Sequence, residues 1–185
     1  MRLLAAGLGL TLLVPLGTAA PSRPGGNLLV NGSFEEGPDD IGEFKSLDKG
    51  STDLKGWKVT RGQIDVVGTF WVAAHGSRSV DLHGSPGYGG VEQTFKTKKG
   101  TKYKVELQLA ATPDAGDRGI WVEAAGDKKK FDINSGDGTK EKLKWEKVTW
   151  EFTAVSDETT LEIYTTEKGD DSRGPVIDEV SVTEK

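Results

Sequence analysis

The sequence predicts an all-β protein, an antiparallel β-sandwich of the jelly-roll type. Apolar and polar residues alternate over short runs that recur roughly every ten residues. Many of the 25 glycines stand at the ends of these runs, where turns are expected. No stretch of about eleven residues or more shows the apolar period of a helix. About ten strands, in one domain over residues 27–185, follow from this pattern.

The alternation is clearest in the second half of the chain. Over residues 103–109 every second residue is apolar, and Lys104, Glu106 and Gln108 lie between them, as in a half-buried strand. The same pattern predicts strands at 119–125, 148–154, 161–164 and 176–182. In the last of these, the alternation puts Asp178 on an otherwise apolar face.

The first half predicts shorter strands. They fall at 28–30, 57–60, 63–67, 79–82 and 90–95. The segment 37–55 is rich in Gly, Asp, Lys and Ser and predicts a long loop with one helical turn at most. The basic triplet 128–130 predicts the solvated tip of a hairpin.

The N-terminus has the pattern of a secretory signal peptide over residues 1–20. Arg2 precedes the apolar run 3–16, and small residues lead up to Ala20. The run is shorter than the roughly 20 residues that span a bilayer, so no membrane anchor is predicted. Residues 21–26 predict a flexible lead. We therefore expect a secreted protein, extracellular or periplasmic.

Composition excludes several classes of function. The formal net charge is −5, which argues against nucleic acid as a partner because phosphate binding needs a basic surface. There is no cysteine, so disulfides, zinc-thiolate sites and thiol nucleophiles are excluded. His75 and His83 lie near Ser77 and Asp81, but the context of a nucleophile elbow is missing. We expect a monomer that is not an enzyme.

Five motifs, taken in order, resemble a known family. They are Asn-Leu-Leu-Val-Asn-Gly-Ser-Phe-Glu at 27–35, Gly-Trp at 56–57, Gly-Ser-Arg-Ser-Val-Asp-Leu at 76–82, Gly-Gly-Val-Glu-Gln-Thr-Phe at 89–95 and Gly-Pro-Val-Ile-Asp-Glu-Val at 174–180. Together they resemble carbohydrate-binding modules with the galactose-binding-like jelly-roll fold. They are also similar to bacterial "choice-of-anchor C" proteins and to the plant cell-wall domain family of unknown function number 642. The plant relatives carry cysteines, which this chain lacks.

This resemblance implies one structural calcium ion at Glu35 and Asp178. Carbonyl groups near 32–33 and 76–78 would complete its oxygen ligands. Independently of the resemblance, a carboxylate on an apolar face needs a partner. The alternatives for Asp178 are that it caps a turn or that it pairs with Arg78 or Arg173.

The resemblance also implies a sugar-binding surface, on which aromatic rings stack on the sugar and polar groups bind its hydroxyls. Trp57 and Trp150 are predicted to be core residues. The predicted ligand-binding residues are three aromatic and two polar ones: Trp71, Tyr88, Trp121, Gln93 and Arg118. For each aromatic residue, plain packing is the alternative role.

We therefore expect an exported, non-catalytic carbohydrate-binding module whose partner is a cell-wall or extracellular polysaccharide or another glycan. The alternative is a secreted structural or protein-interaction β-sandwich with no sugar ligand. Two or more neighbouring exposed aromatic residues on one face would favour the first hypothesis. A flat apolar patch or an open sheet edge would favour the second.

Overall fold

The structure is a computed structural model that describes residues 26–84, 87–168 and 172–185. The predicted signal peptide, 1–20, and all of the predicted lead except Gly26 lie outside the described residues. Within the described ranges, no helix has the length and apolar character needed to cross a bilayer.

Two antiparallel sheets form the sandwich, which confirms the predicted all-β jelly-roll class. The strands of the described residues are β1 (Phe44–Asp48), β2 (Lys58–Arg61), β3 (Gln63–Val67), β4 (Ser79–Asp81), β5 (His83–Gly84), β6 (Gly87–Tyr88), β7 (Gly90–Lys96), β8 (Lys102–Ala111), β9 (Asp117–Ala124), β10 (Asp127–Asn134), β11 (Glu146–Thr153), β12 (Glu158–Thr165) and β13 (Pro175–Glu184). One sheet has the order β1-β3-β4-β13-β8-β11 and the other β10-β9-β12-β7-β2, while β5 and β6 form a short separate pair.

The core lies between the two sheets and is built from the alternating apolar positions. Leu107 and Leu109 of β8 and Ile163 of β12 are among its buried side chains. Phe34 and Trp57 close one part of the core, with ring centroids 5.4 Å apart and both rings almost fully buried. The prediction that Trp57 is a core residue is therefore confirmed.

The segment at 28–30, predicted as a strand, is irregular. Asn27 ties it to β13, because its Nδ2 donates to the Val180 carbonyl (3.0 Å) and its Oδ1 accepts the Val182 N–H (2.9 Å). The left-handed residues Asn31 and Phe34, with φ of 54° and 59°, then turn the chain. Two backbone hydrogen bonds join the same segments, from the Leu28 N–H to the Val182 carbonyl and from the Val180 N–H to the Gly32 carbonyl, both at 2.8 Å. The two ends of the fold therefore pair without forming a regular ladder.

The sequence pattern does not predict the short pair β5 and β6, nor two strands of the main sheets, β1 and β10, which both lie at the edge of a sheet. β1 falls inside the predicted loop 37–55, and only Leu47 among its residues is buried. β10 contains the lysines of 128–130, which were predicted to be a hairpin tip; the turn lies instead at Ala125 and Gly126. Charged edge strands have no apolar period, and they protect a sheet from pairing with other chains.

A β-bulge in β13 changes which residues share a face. The register shifts between Asp178 and Ser181, and Glu179 has a φ of 49°. Val180 and Val182 face the core, whereas Val176 belongs to a second apolar cluster, formed with four residues outside the core: Val67, Trp71, Ala110 and Leu143. The prediction that Asp178 shares one face with all three valines is therefore wrong.

The approach of the N-terminal segment to β13 predicts that Gly32→Ala is strongly destabilising. A Cβ at Gly32 would stand 1.9 Å from the Val180 carbonyl oxygen, so the backbone must move. We expect a loss of about 3 kcal/mol in the free energy of unfolding, measured by urea denaturation. Gly126→Ala is the control, because that site has a φ of 82° with open space around it and should cost only about 1 kcal/mol. Equal losses in the two variants would contradict the close approach.

Candidate functional site

The outer face of the five-stranded sheet carries one residue from every strand in a single row. Arg61 pairs with Gly90, Gly90 with Tyr164, Tyr164 with Trp121, and Trp121 with Lys130. Directly opposed residues on adjacent antiparallel strands lie on the same face with Cβ atoms about 5 Å apart. We call Arg61, Gly90, Tyr164, Trp121 and Lys130 the aromatic row.

Contacts within the row hold its side chains in place. The Arg61 guanidinium carbon lies 3.6 Å from the centroid of the Tyr164 ring. Arg61 also makes a bidentate pair with Glu162, with Nε to Oε1 at 2.9 Å and Nη2 to Oε2 at 3.0 Å. The Thr60 hydroxyl donates to the same Oε1 at 2.7 Å. Arginine and tyrosine therefore form a fixed stack at one end of the row.

Two buried glycines, Gly90 and Gly119, allow neighbouring side chains to pack tightly on this face. A Cβ at Gly90 would lie 2.7 Å from the Tyr164 Cβ, and one at Gly119 would lie 2.7 Å from the Thr166 hydroxyl oxygen. Any larger residue at either position would collide with the face. Glycine is therefore required at both positions for the side chains of Tyr164 and Thr166 to pack where they do.

A second row on the same face is charged. It runs across the five strands as Lys58, Glu92, Glu162, Glu123 and Lys128. We call these residues the charged row.

The protonation of two groups on this face follows from their contacts. Burial would raise the pKa of Glu162, but the hydrogen bonds from Arg61 and Thr60 and the charge of Arg61 hold it below its usual value. Burial and the charge of Glu123 raise the pKa of Tyr164, so its hydroxyl stays protonated and donates to Glu123 Oε2 at 3.3 Å. At neutral pH the face thus presents the ionised Glu162 carboxylate as an acceptor, beside the Arg61 guanidinium and the Tyr164 hydroxyl as donors.

Trp121, predicted to bind ligand, is half-buried between Tyr164 and Lys130 in the aromatic row. The Lys128 Nζ stands 4.8 Å from its ring centroid. Tyr88, also predicted, is 49% exposed on β6, two residues before Gly90 in the row. Arg118 lies near the start of β9, where its Nη1 donates to the Asp117 carbonyl at 2.8 Å.

Two predicted ligand residues are buried. The ring of Trp71 is 7% exposed in the second apolar cluster, and its Nε1 donates to the Ser79 hydroxyl at 2.9 Å, so the prediction that it forms an exposed platform is wrong. Gln93 faces the core side of β7, where its Nε2 donates to the Val30 carbonyl and its Oε1 accepts the Val30 N–H. Its amide therefore serves to hold the N-terminal segment.

Tyr164 and Arg61 were missed as site residues. Tyr164 alternates with buried Ile163 and lies on the same strand face as Glu162, which is a signal that sequence reasoning can use. Arg61 reaches the face through the register shift between Val59 and Arg61, which the sequence does not reveal.

Glu35 and Asp178 both face the loop at 75–78. The Glu35 carboxylate accepts the Ser77 N–H (2.9 Å), the Ser77 hydroxyl (2.7 Å) and the Arg78 N–H (2.9 Å). Asp178 is fully buried; its Oδ2 accepts the His75 N–H (2.9 Å) and its Oδ1 the Glu179 N–H (2.6 Å). Asp178 therefore caps backbone N–H groups, one of the roles that the sequence left open.

These contacts do not fit a calcium ion as the loop stands. Calcium takes six to eight oxygen ligands, whereas this loop presents N–H groups to both carboxylates. Among the residues that the structure describes, no group of three or more His, Asp or Glu side chains is arranged to hold a metal. Calcium at Glu35 and Asp178 stays a prediction.

The chain belongs to the family described as "Protein of unknown function (DUF642)", which matches residues 27–183. It is also 31% identical, over 175 residues, to halomucin of Haloquadratum walsbyi. That match covers 91% of this chain and only 2% of halomucin, so the chain spans a very small part of that relative.

Solved structures confirm the fold. TmCBM61 in complex with β-1,4-galactotriose matches 89% of this chain and 100% of its own, with 18% identity and a TM-score of 0.51. The tandem CBM22-1-CBM22-2 domain of Paenibacillus barcinonensis Xyn10C matches 90% of this chain and 48% of its own, with 17% identity and a TM-score of 0.53. The arabinose-bound α-L-arabinofuranosidase MgGH51 matches 85% and 26%, with 13% identity and a TM-score of 0.55. The sandwich is thus the fold of carbohydrate-binding modules.

The burial of Asp178 predicts a pH-dependent stability. Burial raises the pKa of this carboxyl to about 6, although the His75 and Glu179 N–H groups act in the opposite direction. In the unfolded chain it titrates at about 3.9, so the folded state binds more protons between these values and is destabilised as pH rises through them. The free energy of unfolding of Asp178→Asn, minus that of the wild type, should therefore increase by up to about 3 kcal/mol as the pH rises from about 4 to about 7. Urea denaturation in EDTA measures the difference, and a difference independent of pH would contradict it.

Calcium binding is tested with the same protein at neutral pH. If the ion binds between Glu35 and Asp178, it neutralises the buried charge, and calcium chloride should raise the melting temperature above that in EDTA. Glu35→Gln removes one carboxylate and should abolish the rise. A wild-type melting temperature that is the same in calcium and in EDTA would exclude the site.

Proposed function

We propose that this chain is an exported, non-catalytic carbohydrate-binding module that binds cell-wall or extracellular polysaccharide through the aromatic row. The observation that carries the proposal is the placement of Trp121 directly opposite Tyr164 on the solvent side of the sheet. Arg61 and Lys130 stand at the two ends of the same row. Sugars combine apolar C–H faces with hydroxyls, and this surface combines aromatic rings with charged donors and acceptors.

Trp121 supplies the ring on which a sugar stacks, and Tyr164 holds the Arg61 guanidinium beside it. Glu162 and Glu123 of the charged row accept hydrogen bonds from sugar hydroxyls, and Lys128 and Arg61 donate. Because Glu162 is already fixed by Arg61 and Thr60, little side-chain entropy is lost when a ligand binds.

The row crosses five strands, which corresponds to about 19 Å at the usual spacing of strands. A surface of that length fits several consecutive sugar units better than a single one. A chain lying across the strands would contact every strand of the sheet. This favours a polysaccharide over a monosaccharide as the ligand.

The comparisons support this proposal at the level of fold. TmCBM61 and the CBM22 tandem are carbohydrate-binding modules by their descriptions, and the first was solved with a galactotriose. The signal-peptide pattern of residues 1–20 supports the export that we propose. Glu162 supports binding rather than hydrolysis, because the bidentate pair with Arg61 keeps its pKa low and so disfavours its use as a proton donor.

We expect Trp121→Ala to weaken binding to the recognised glycan by about tenfold or more, since loss of a stacking ring costs at least about 1.4 kcal/mol. Tyr164→Ala should have a similar effect because it releases Arg61. Trp150→Ala is the control: this tryptophan is also half-buried in the middle of a strand, but it lies on the other sheet and packs against the core, as predicted. Affinity electrophoresis on a panel of soluble polysaccharides, with β-1,4-galactan included, measures the binding.

Equal loss of binding in Trp121→Ala and Trp150→Ala would show that the glycan does not bind specifically at the aromatic row. Absence of binding to every glycan by the folded wild type would favour the alternative, a structural or protein-interaction module.

A further inference from the structure

The outer face of the six-stranded sheet holds a cavity of about 250 Å³, on the opposite side of the sandwich from the aromatic row. Its aromatic lining is Phe44 of β1 with Phe70 and Trp71 of the loop between β3 and β4. Its carboxylates are Asp65 of β3 and Asp81 of β4. We call this the Asp65 cavity.

The two carboxylates stand directly opposite each other on adjacent strands. Like charges directly opposite each other destabilise a sheet, so ionising both carboxyls would cost folding free energy. Asp81 is 2% exposed, and its Oδ1 accepts the His83 N–H at 2.9 Å. It therefore holds the backbone at the inner end of the cavity. Asp65 is half-buried and accepts one hydrogen bond, from the Ser46 hydroxyl at 2.6 Å.

No lysine or arginine of the described residues forms an ion pair with Asp65. Burial raises the pKa of Asp65, and it raises that of Asp81 well above its usual value, with the charge of Asp65 adding to the effect. Asp81 therefore takes up a proton first, and Asp65 is the negative group that faces the cavity. A half-buried carboxylate of this kind favours a cation from outside the chain.

The aromatic walls suit a cation as well. Phe44 and Phe70 meet edge to face with centroids 5.8 Å apart, and Phe70 and Trp71 do so at 5.5 Å. Phe44 remains 47% exposed at the mouth. Electron-rich ring faces attract ammonium groups, and the chain itself shows this, because the Lys140 Nζ lies 3.4 Å from the Phe70 centroid. Lys140 is not among the residues that line the cavity.

We propose that the Asp65 cavity binds a primary ammonium group carried on a small ring or alkyl body. Asp65 is the counter-ion, Ser46 holds its carboxylate in place, and Phe44 covers the apolar body of the ligand. The volume of about 250 Å³ suits one small group. Amino sugars and alkylamines share this chemistry.

The test uses the mature wild-type protein and the indole N–H resonance of Trp71, which lines the cavity. The probes are D-glucosamine and n-butylamine, both as ammonium salts, at neutral pH. D-Glucose and N-acetyl-D-glucosamine are the uncharged controls. We expect a saturable shift of the Trp71 resonance with both amines and none with the controls. Tighter binding of glucosamine would identify a ring body, and tighter binding of butylamine an alkyl body.

Asp65→Asn keeps the shape of the side chain and removes its charge, so it should weaken amine binding at least tenfold. Asp48→Asn is the control, since Asp48 lies on the same edge strand as Ser46 and outside the cavity lining. If Asp65→Asn does not fold, Phe44→Ala at the exposed mouth should also weaken binding. Equal shifts with glucose and glucosamine, no shift with either amine, or unchanged affinity in the variants would overturn the proposal.

Discussion

The hydrogen-bond register of β12 determines what the five-stranded sheet can present to a ligand. This strand pairs with β7 on one side and β9 on the other, and it buries Leu161 and Ile163 in the core. A slip of one residue would turn these side chains to solvent and bring Glu162 and Tyr164 inside. The cost of exposing the apolar residues thus fixes the register. The same register aligns the aromatic row.

The six-stranded sheet depends on a different device, one extra residue in its central strand. Before the bulge at Glu179, Val176 and Asp178 of β13 face outward. Val176 belongs to the second apolar cluster, and Asp178 accepts a backbone hydrogen bond from the loop at 75–78. After the bulge, Val180 and Val182 return to the core. The outer face of this sheet is therefore partly apolar, and loops cover it.

Sequence alternation was sufficient for strands with one buried face, such as β8 and β12. It failed for β1 and β10, because an edge strand with exposed lysines and a single buried aliphatic residue, Leu47 in β1 and Ile133 in β10, has no period to detect. It placed Trp121 on the polar side of β9, which the structure confirms. It could not place Trp71, because the cluster that buries this ring joins residues that are distant in sequence, among them Ala110 and Val176.

The bonds from Asn27 to Val180 and Val182 bring the start and the end of the fold side by side. A sandwich with adjacent termini can be spliced into a surface loop of another protein without stretching either junction, because the host chain leaves and returns at nearly the same point. Such a domain can also project from a longer polypeptide, with both of its ends joined to that polypeptide at nearly the same point. The hydrogen bonds between residues 27–32 and β13 thus hold the two ends of the domain at one point of the fold.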